Sequence, residues 1–184
     1  MQRTSFSGAE CPMAASLDQV GDWWSMLILR DAFDGYSRFD EFERSLGIAP
    51  NMLTRRLKAL VAAGVLSRRP YQQRPVRYEY VLTERGRRFL PVLLALTTWG
   101  NELRADDEPS VIVVDSESGR EIDPVMVDRK TGEPVTASAV RFAAGPGAGE
   151  GLRGRFASVP DRAAALAARA SEATETTPGA SESE

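Results

Sequence analysis

The stretch from Leu46 to Thr54, "LGIAPNMLT", constrains the fold of this 184-residue chain more than any other. Gly47 stops one amphipathic helical pattern, and Pro50 presets the backbone for the first turn of the next. Only Gly47, Ile48 and Ala49 therefore separate two helices. Two short helices joined by three residues that include glycine make a helix-turn-helix candidate.

The segment before the turn, "RFDEFERSL", places Phe39, Phe42 and Leu46 on one side. Ser37 followed by Asp40 resembles a capping box with Asp in place of Glu. On the helix after the turn, expected from Pro50 to Ala63, Leu53, Leu57, Leu60 and Val61 cluster within about 100° of arc. Asn51, Arg55 and Lys58 lie nearly opposite, with Thr54 beside them. Arg56 falls on the other flank and is assigned to phosphate or to a structural ion pair. The far edge suits a major groove: Arg can grip a guanine edge with two bonds, Asn an adenine, and Lys or Thr a base or a phosphate. An ordinary solvated face carries similar groups, so this helix alone does not decide its own use.

Its neighbours supply context. After Gly64 the period changes, and "VLSRRPYQQ" and "VRYEYVLT" read as two strands around a polar turn ending at Pro75. This hairpin, or wing, carries Arg68, Arg69, Gln73, Arg74 and Arg77 toward backbone phosphates or the minor groove. Thr83 then caps one long helix, "ERGRRFLPVLLALTTWGNEL". Upstream, Cys11 and Pro12 open a short helix to about Val20, and Asp22 caps "WWSMLILRDAF". Residues 37–88 hold twelve Lys/Arg against five Asp/Glu, whereas 106–184 hold eight against fifteen. That asymmetry fits a polyanion-binding domain with a non-binding extension.

Other chemistries find little support. The chain has no histidine and one cysteine, which removes the usual ligands of zinc and most transition metals and rules out an internal disulfide. No phosphate-loop or nucleophile-elbow pattern occurs, so neither catalytic residues nor a cofactor is expected. No apolar run of about 18 residues and no signal-peptide pattern is present, so a soluble cytoplasmic, nucleoid-associated protein without membrane contact is expected. A winged helix used for protein interaction without DNA remains the competing reading.

From residue 11 to about 105 the sequence resembles the HxlR-type winged-helix transcriptional regulators. The likeness is carried by Cys11-Pro12, "WSMLILRD", "RFDEF", "PNMLTRRLKAL", "GVL", the wing proline, "YEYVLTERG" and Trp99-Gly100. The resemblance implies a homodimer on an inverted repeat of double-stranded DNA, acting mainly as a repressor. Recognition would use the helix from Pro50 and the wing, with Ser37 and Arg38 included among the DNA contacts. Where the family often has serine before that proline, this chain has Ala49, at a loss of about 1 kcal/mol of helix-end stabilisation. In several relatives the cysteine at the place of Cys11 senses electrophiles or oxidants. Cys11 is thus a candidate redox sensor, against the plainer reading of a small packed residue.

The last helix has more apolar surface than one small winged domain covers, which favours a dimer. Phe89, Val92, Leu93, Leu96, Trp99 and Leu103 form its stripe, and Leu17, Val20 and Trp24 are assigned to the same interface. Trp23, Trp24 and Trp99 are also candidates to line a small-effector pocket. Beyond residue 105, "VDSESGREIDP" (114–124) and "VDRKTGEPVTA" (127–137) align at a 13-residue offset as two hairpins in tandem. The expected fold is therefore mainly α with a β wing: a flexible N-terminus (1–10), the winged domain (11–105), a small β-hairpin arm (106–143) and a low-complexity, mostly disordered tail (144–184). One marginal helix is expected near "DRAAALAARA".

Overall fold

The computed structural model describes Phe6 and residues 8–103 and 108–158, in two units, Met1–Pro124 and Val125–Glu184. In the first unit, α1 (Pro12–Val20) begins on a proline, whose missing N–H costs nothing in a first turn. α2 (Trp23–Phe33) starts at Asp22, whose Oδ1 accepts from the backbone N–H of Trp24 at 3.0 Å and of Ser25 at 3.4 Å. α3 (Phe39–Leu46) ends at Gly47, where φ is 59°, a left-handed conformation that favours glycine. α4 (Pro50–Ala62) follows after the three-residue turn.

These helices close around Ile28, Leu29, Phe42, Leu53, Leu57 and Leu60, all fully buried. Val65 and Leu66 carry the core into the wing. Strands β1 (Leu66–Gln73) and β2 (Val76–Leu82) pair antiparallel, Leu66 opposite Leu82 and Gln73 opposite Val76, with an irregularity between Pro70 and Gln72. Arg38 pairs with the outer side of β2 at Glu79, and Tyr80 N–H donates to the Ser37 carbonyl at 2.7 Å. The wing is thereby tied to the start of α3.

Three sequence expectations need correction here. The capping carboxylate of α3 is Glu41, one residue beyond Asp40. Its Oε2 accepts from the Arg38 N–H at 2.8 Å and the Ser37 N–H at 2.9 Å, because the helix begins one residue later than the Ser37 cap would place it. The long final helix is two helices, α5 (Glu84–Arg87) and α6 (Leu90–Glu102). Pro91 has no N–H to give and its ring clashes with the carbonyl four residues back, so the chain breaks just before it. Thr83 does cap α5, accepting from Gly86 N–H at 3.0 Å. A side chain at Gly86 would collide with the Val65 carbonyl, so α5 sits on the base of the wing only because this residue is glycine.

The extension holds a β3 (Val113–Val114) and β4 (Glu121–Ile122) hairpin in the first unit. Asp115 N–H donates to the Arg120 carbonyl and Gly119 N–H to the Asp115 carbonyl, both at 2.8 Å. In the second unit the same bonds recur 13 residues on: Asp128 N–H to Glu133 at 2.9 Å and Gly132 N–H to Asp128 at 2.7 Å. The second hairpin is closed by a single bridge, Val127 with Pro134. The third correction is α7 (Glu150–Ala157), an ordered helix inside the segment expected to be disordered. The helix expected near "DRAAALAARA" lies outside the described residues. Of residues 1–10, Phe6 is tied down, its N–H donating to Asp18 Oδ1 at 3.0 Å. Among the described residues no helix is long and apolar enough to cross a membrane.

Candidate nucleic-acid interface

α4 has two edges of opposite character. Leu53, Leu57 and Leu60 are fully buried, while Asn51, Thr54, Arg55 and Lys58 are exposed. The amphipathic spacing produces this division, since residues three and four apart stack on one face. At the N-terminus of α4, Ala49 has the extended backbone of a cap but offers no side-chain acceptor. Asn51 partly takes that part, its Oδ1 accepting from the Met52 N–H at 2.7 Å. The Arg55 guanidinium lies 3.0 Å from the Met52 sulfur, a weak contact that leaves its donors available.

Arg56 leaves the DNA-facing set. Its guanidinium pairs with Asp22 Oδ2, and the two side chains are only 16% and 15% exposed. A partly desolvated ion pair with a helix cap holds the group inward, so of the two roles open to Arg56 in the sequence the ion pair is realised.

On the wing, Gln73, Arg74 and Arg77 lie exposed at and beside the tip. Arg69 pairs with Glu79 at 2.6 Å, which offsets its charge. The guanidinium of Arg68 stacks 3.5 Å over the Tyr78 ring, and that of Arg38 lies 4.6 Å over Tyr71. Ser37 is half-buried with its backbone committed to Glu41 and Tyr80, whereas Arg38 is exposed. The helix-turn-helix edge and the wing therefore present cations from α4, from the start of α3 and from the hairpin. None of the supports, Asp22, Tyr71, Tyr78 and Glu41, was identifiable as such in the sequence.

Away from this surface, Leu17, Val92, Leu96, Trp99 and Leu103 are all exposed on the first unit, Trp99 by 58% and Leu103 by 68%. Phe89, Leu93 and Trp24 are half-buried against the chain's own core. Val20 is 5% exposed and belongs to that core, so its assignment to a subunit interface is withdrawn: its surface is already covered within one chain. Trp23 is exposed and lies on α2 beside the half-buried Trp24. Cys11 caps α1 in an extended conformation, is half-buried and forms no disulfide.

A helix, a three-residue turn, a second helix and a two-stranded wing, all on one core, define a winged helix-turn-helix protein. The comparisons sharpen this class. Residues 19–108 match the HxlR-like helix-turn-helix family model. A Mycobacterium tuberculosis HTH-type transcriptional regulator, Rv3095, is 39% identical over 133 residues, covering 72% of this chain and 84% of the relative. YybR of Bacillus subtilis, also an HTH-type transcriptional regulator, is 39% identical over 95 residues, 51% of this chain and 76% of its own. The solved structure of the transcription factor PA1607 aligns with a TM-score of 0.69 at 42% identity, covering 76% of this chain and 99% of that one. PA1374 of Pseudomonas aeruginosa aligns with a TM-score of 0.59 at 52% identity, covering 79% and 99%. This chain belongs to the HxlR-like helix-turn-helix family and is a transcriptional regulator of the helix-turn-helix type.

Proposed function

We propose that the protein acts in the cytoplasm as a homodimer on an inverted-repeat operator, as a repressor, with α4 in the major groove and the wing on the flanking backbone. The observation that carries this reading is the exposed row Asn51, Thr54, Arg55 and Lys58 standing opposite three fully buried leucines, one turn away from a cationic wing. Phosphate contacts from Arg38, Arg68, Arg74 and Arg77 set register and affinity, and the α4 edge reads bases. Leu96, Trp99 and Leu103 cover the partner's equivalent face.

Titration of random duplex DNA at several salt concentrations tests the class of partner. Binding that weakens with salt, with a logarithmic slope of about −0.9 per phosphate neutralised, is expected. An absence of any duplex binding at low salt would favour a protein-interaction module instead. Response to an electrophile or oxidant is assigned to Cys11 at the N-terminal end of α1, where the helix dipole favours a thiolate. With one cysteine per chain, the oxidised form is an intersubunit or a mixed disulfide. Diamide should release DNA from the wild type and spare Cys11→Ser; equal release from both removes the sensor role.

A further inference from the structure

Two of the three wing tyrosines, Tyr71 and Tyr78, each carry an arginine on their ring, one arginine from β1 and the other from the cap of α3. Arg68 on β1 is paired with Tyr80, and Pro70 with Tyr78, so Arg68 and Tyr78 are diagonal neighbours on one face of the hairpin. The Arg68 guanidinium carbon sits over the Tyr78 ring, 3.5 Å from its centroid, the close approach expected of a stacked pair. Tyr71 sits at the irregularity between Pro70 and Gln72, and Arg38, the N-cap residue of α3, rests on its ring. Glu79 lies between the two systems: it is paired in register with both Arg38 and Arg69, yet its carboxylate is taken by Arg69. Among the described residues neither Arg38 nor Arg68 forms a salt bridge, although Arg38 also feels the Glu41 carboxylate at the start of α3, and both rest on aromatic faces.

We propose that Tyr78 is a positioning residue for DNA binding, acting through Arg68, with Tyr71 doing the same for Arg38. Stacking uses the face of the guanidinium and leaves the N–H edges in its plane open. Those edges are the donors that a phosphate accepts in bidentate fashion, so the ring and the phosphate are held at once. A free arginine would lose rotamer entropy on binding, and the ring makes part of that loss before DNA arrives. A carboxylate partner would give the same order but would have to be displaced. The inference rests on the reading of the wing as a phosphate-contacting element.

The test is fluorescence anisotropy of a random-sequence duplex across a salt series, with wild type, Tyr78→Phe, Tyr78→Leu, Arg68→Ala and the Tyr78→Leu/Arg68→Ala double variant. Tyr78→Phe should match wild type. Tyr78→Leu should weaken binding about two- to fivefold with an unchanged salt slope, because the number of charges is the same. Arg68→Ala should flatten the slope by about one unit, and the double variant should bind no worse than Arg68→Ala alone. If Tyr78→Leu costs the same factor in the Arg68→Ala background, the ring acts on the hairpin as a whole and the proposal is overturned. If Arg68→Ala weakens binding while Tyr78→Leu does not, positioning fails and the wing reading survives. An Arg68→Ala protein with wild-type affinity and slope overturns both.

Discussion

Asp22 serves two helices with one carboxylate: Oδ1 caps α2, and Oδ2 pairs with Arg56 on α4. α4 is thus fixed to the N-terminus of α2 on its flank as well as to the core through its leucines. Removing Asp22 opens the cap and strands a guanidinium that is 16% exposed. Asp22→Ala should therefore cost about 2 to 4 kcal/mol of stability in denaturant unfolding, more than a cap alone. Arg56→Ala should cost less, and the double variant should lose less than the two single losses combined. Additive losses would mean that the pair contributes nothing of its own.

The N-cap of α4 is open to improvement. Ala49 already has the extended backbone of a capping residue, with φ at −61° and ψ at 136°. A serine there needs no backbone change to accept from the first turn, so Ala49→Ser should stabilise the protein by about 0.5 to 1 kcal/mol in thermal unfolding. An unchanged melting temperature would indicate that the Asn51 Oδ1 bond to Met52 already supplies what the cap lacks.

Glu41 gives the fold an acid-sensitive joint. The Ser37 N–H, and after it the Arg38 N–H, hold its carboxyl below the ordinary glutamate value of 4.5. A carboxylate whose pKa is lowered by folding stabilises the native state above its unfolded value, and that stabilisation is lost as pH falls through the folded value. Melting temperatures of wild type and Glu41→Gln should accordingly differ at pH 7, and the gap should shrink only as pH falls below the ordinary value of 4.5 and close once it has passed the lowered folded value. A constant gap across that range would contradict the hydrogen-bonded role.

How much of this was legible in the sequence follows from how local each cause is. The turn at Gly47–Ala49, the two edges of α4 and the wing strands rest on residues within a few positions of one another, and the structure places them as the pattern predicts. The tandem hairpins were visible as a 13-residue offset because each turn is built from its own Asp and Gly. Arg56 could not be resolved, since the wheel sees only its own helix and Asp22 lies on another. The break before Pro91 was hidden by an apolar stripe that continues in sequence across it. α7 was missed because Gly151 and Gly154 give it weak intrinsic propensity. The tyrosine supports of Arg38 and Arg68 depend on strand register and on the irregularity at Tyr71, neither of which has a sequence signature.

Base reading and phosphate binding should separate experimentally. Arg55 lies on the exposed edge of α4 and Arg74 at the wing tip. Arg55→Ala should cost about 1 to 3 kcal/mol at the matched operator and relax base preference at one position in each half-site. Arg74→Ala should weaken all sequences alike and reduce the salt slope by about one. A gel-shift titration in which Arg55→Ala kept both affinity and base preference would show that the α4 edge is not the reading surface.

The exposed apolar face of α6 calls for a partner. Leu96, Trp99 and Leu103 are 44%, 58% and 68% exposed on a helix with no fully buried residue. In the proposed homodimer a second copy of the chain covers them with the same face about a two-fold axis, so a charge at the centre of the stripe meets its own copy across the interface. Trp99→Glu should shift the protein from dimer to monomer in sedimentation velocity and weaken operator binding by losing the second half-site, while Trp23→Glu, on α2 and 72% exposed, should do neither. A Trp99→Glu protein that remained dimeric would move the interface away from α6 and toward α1, where Leu17 is exposed.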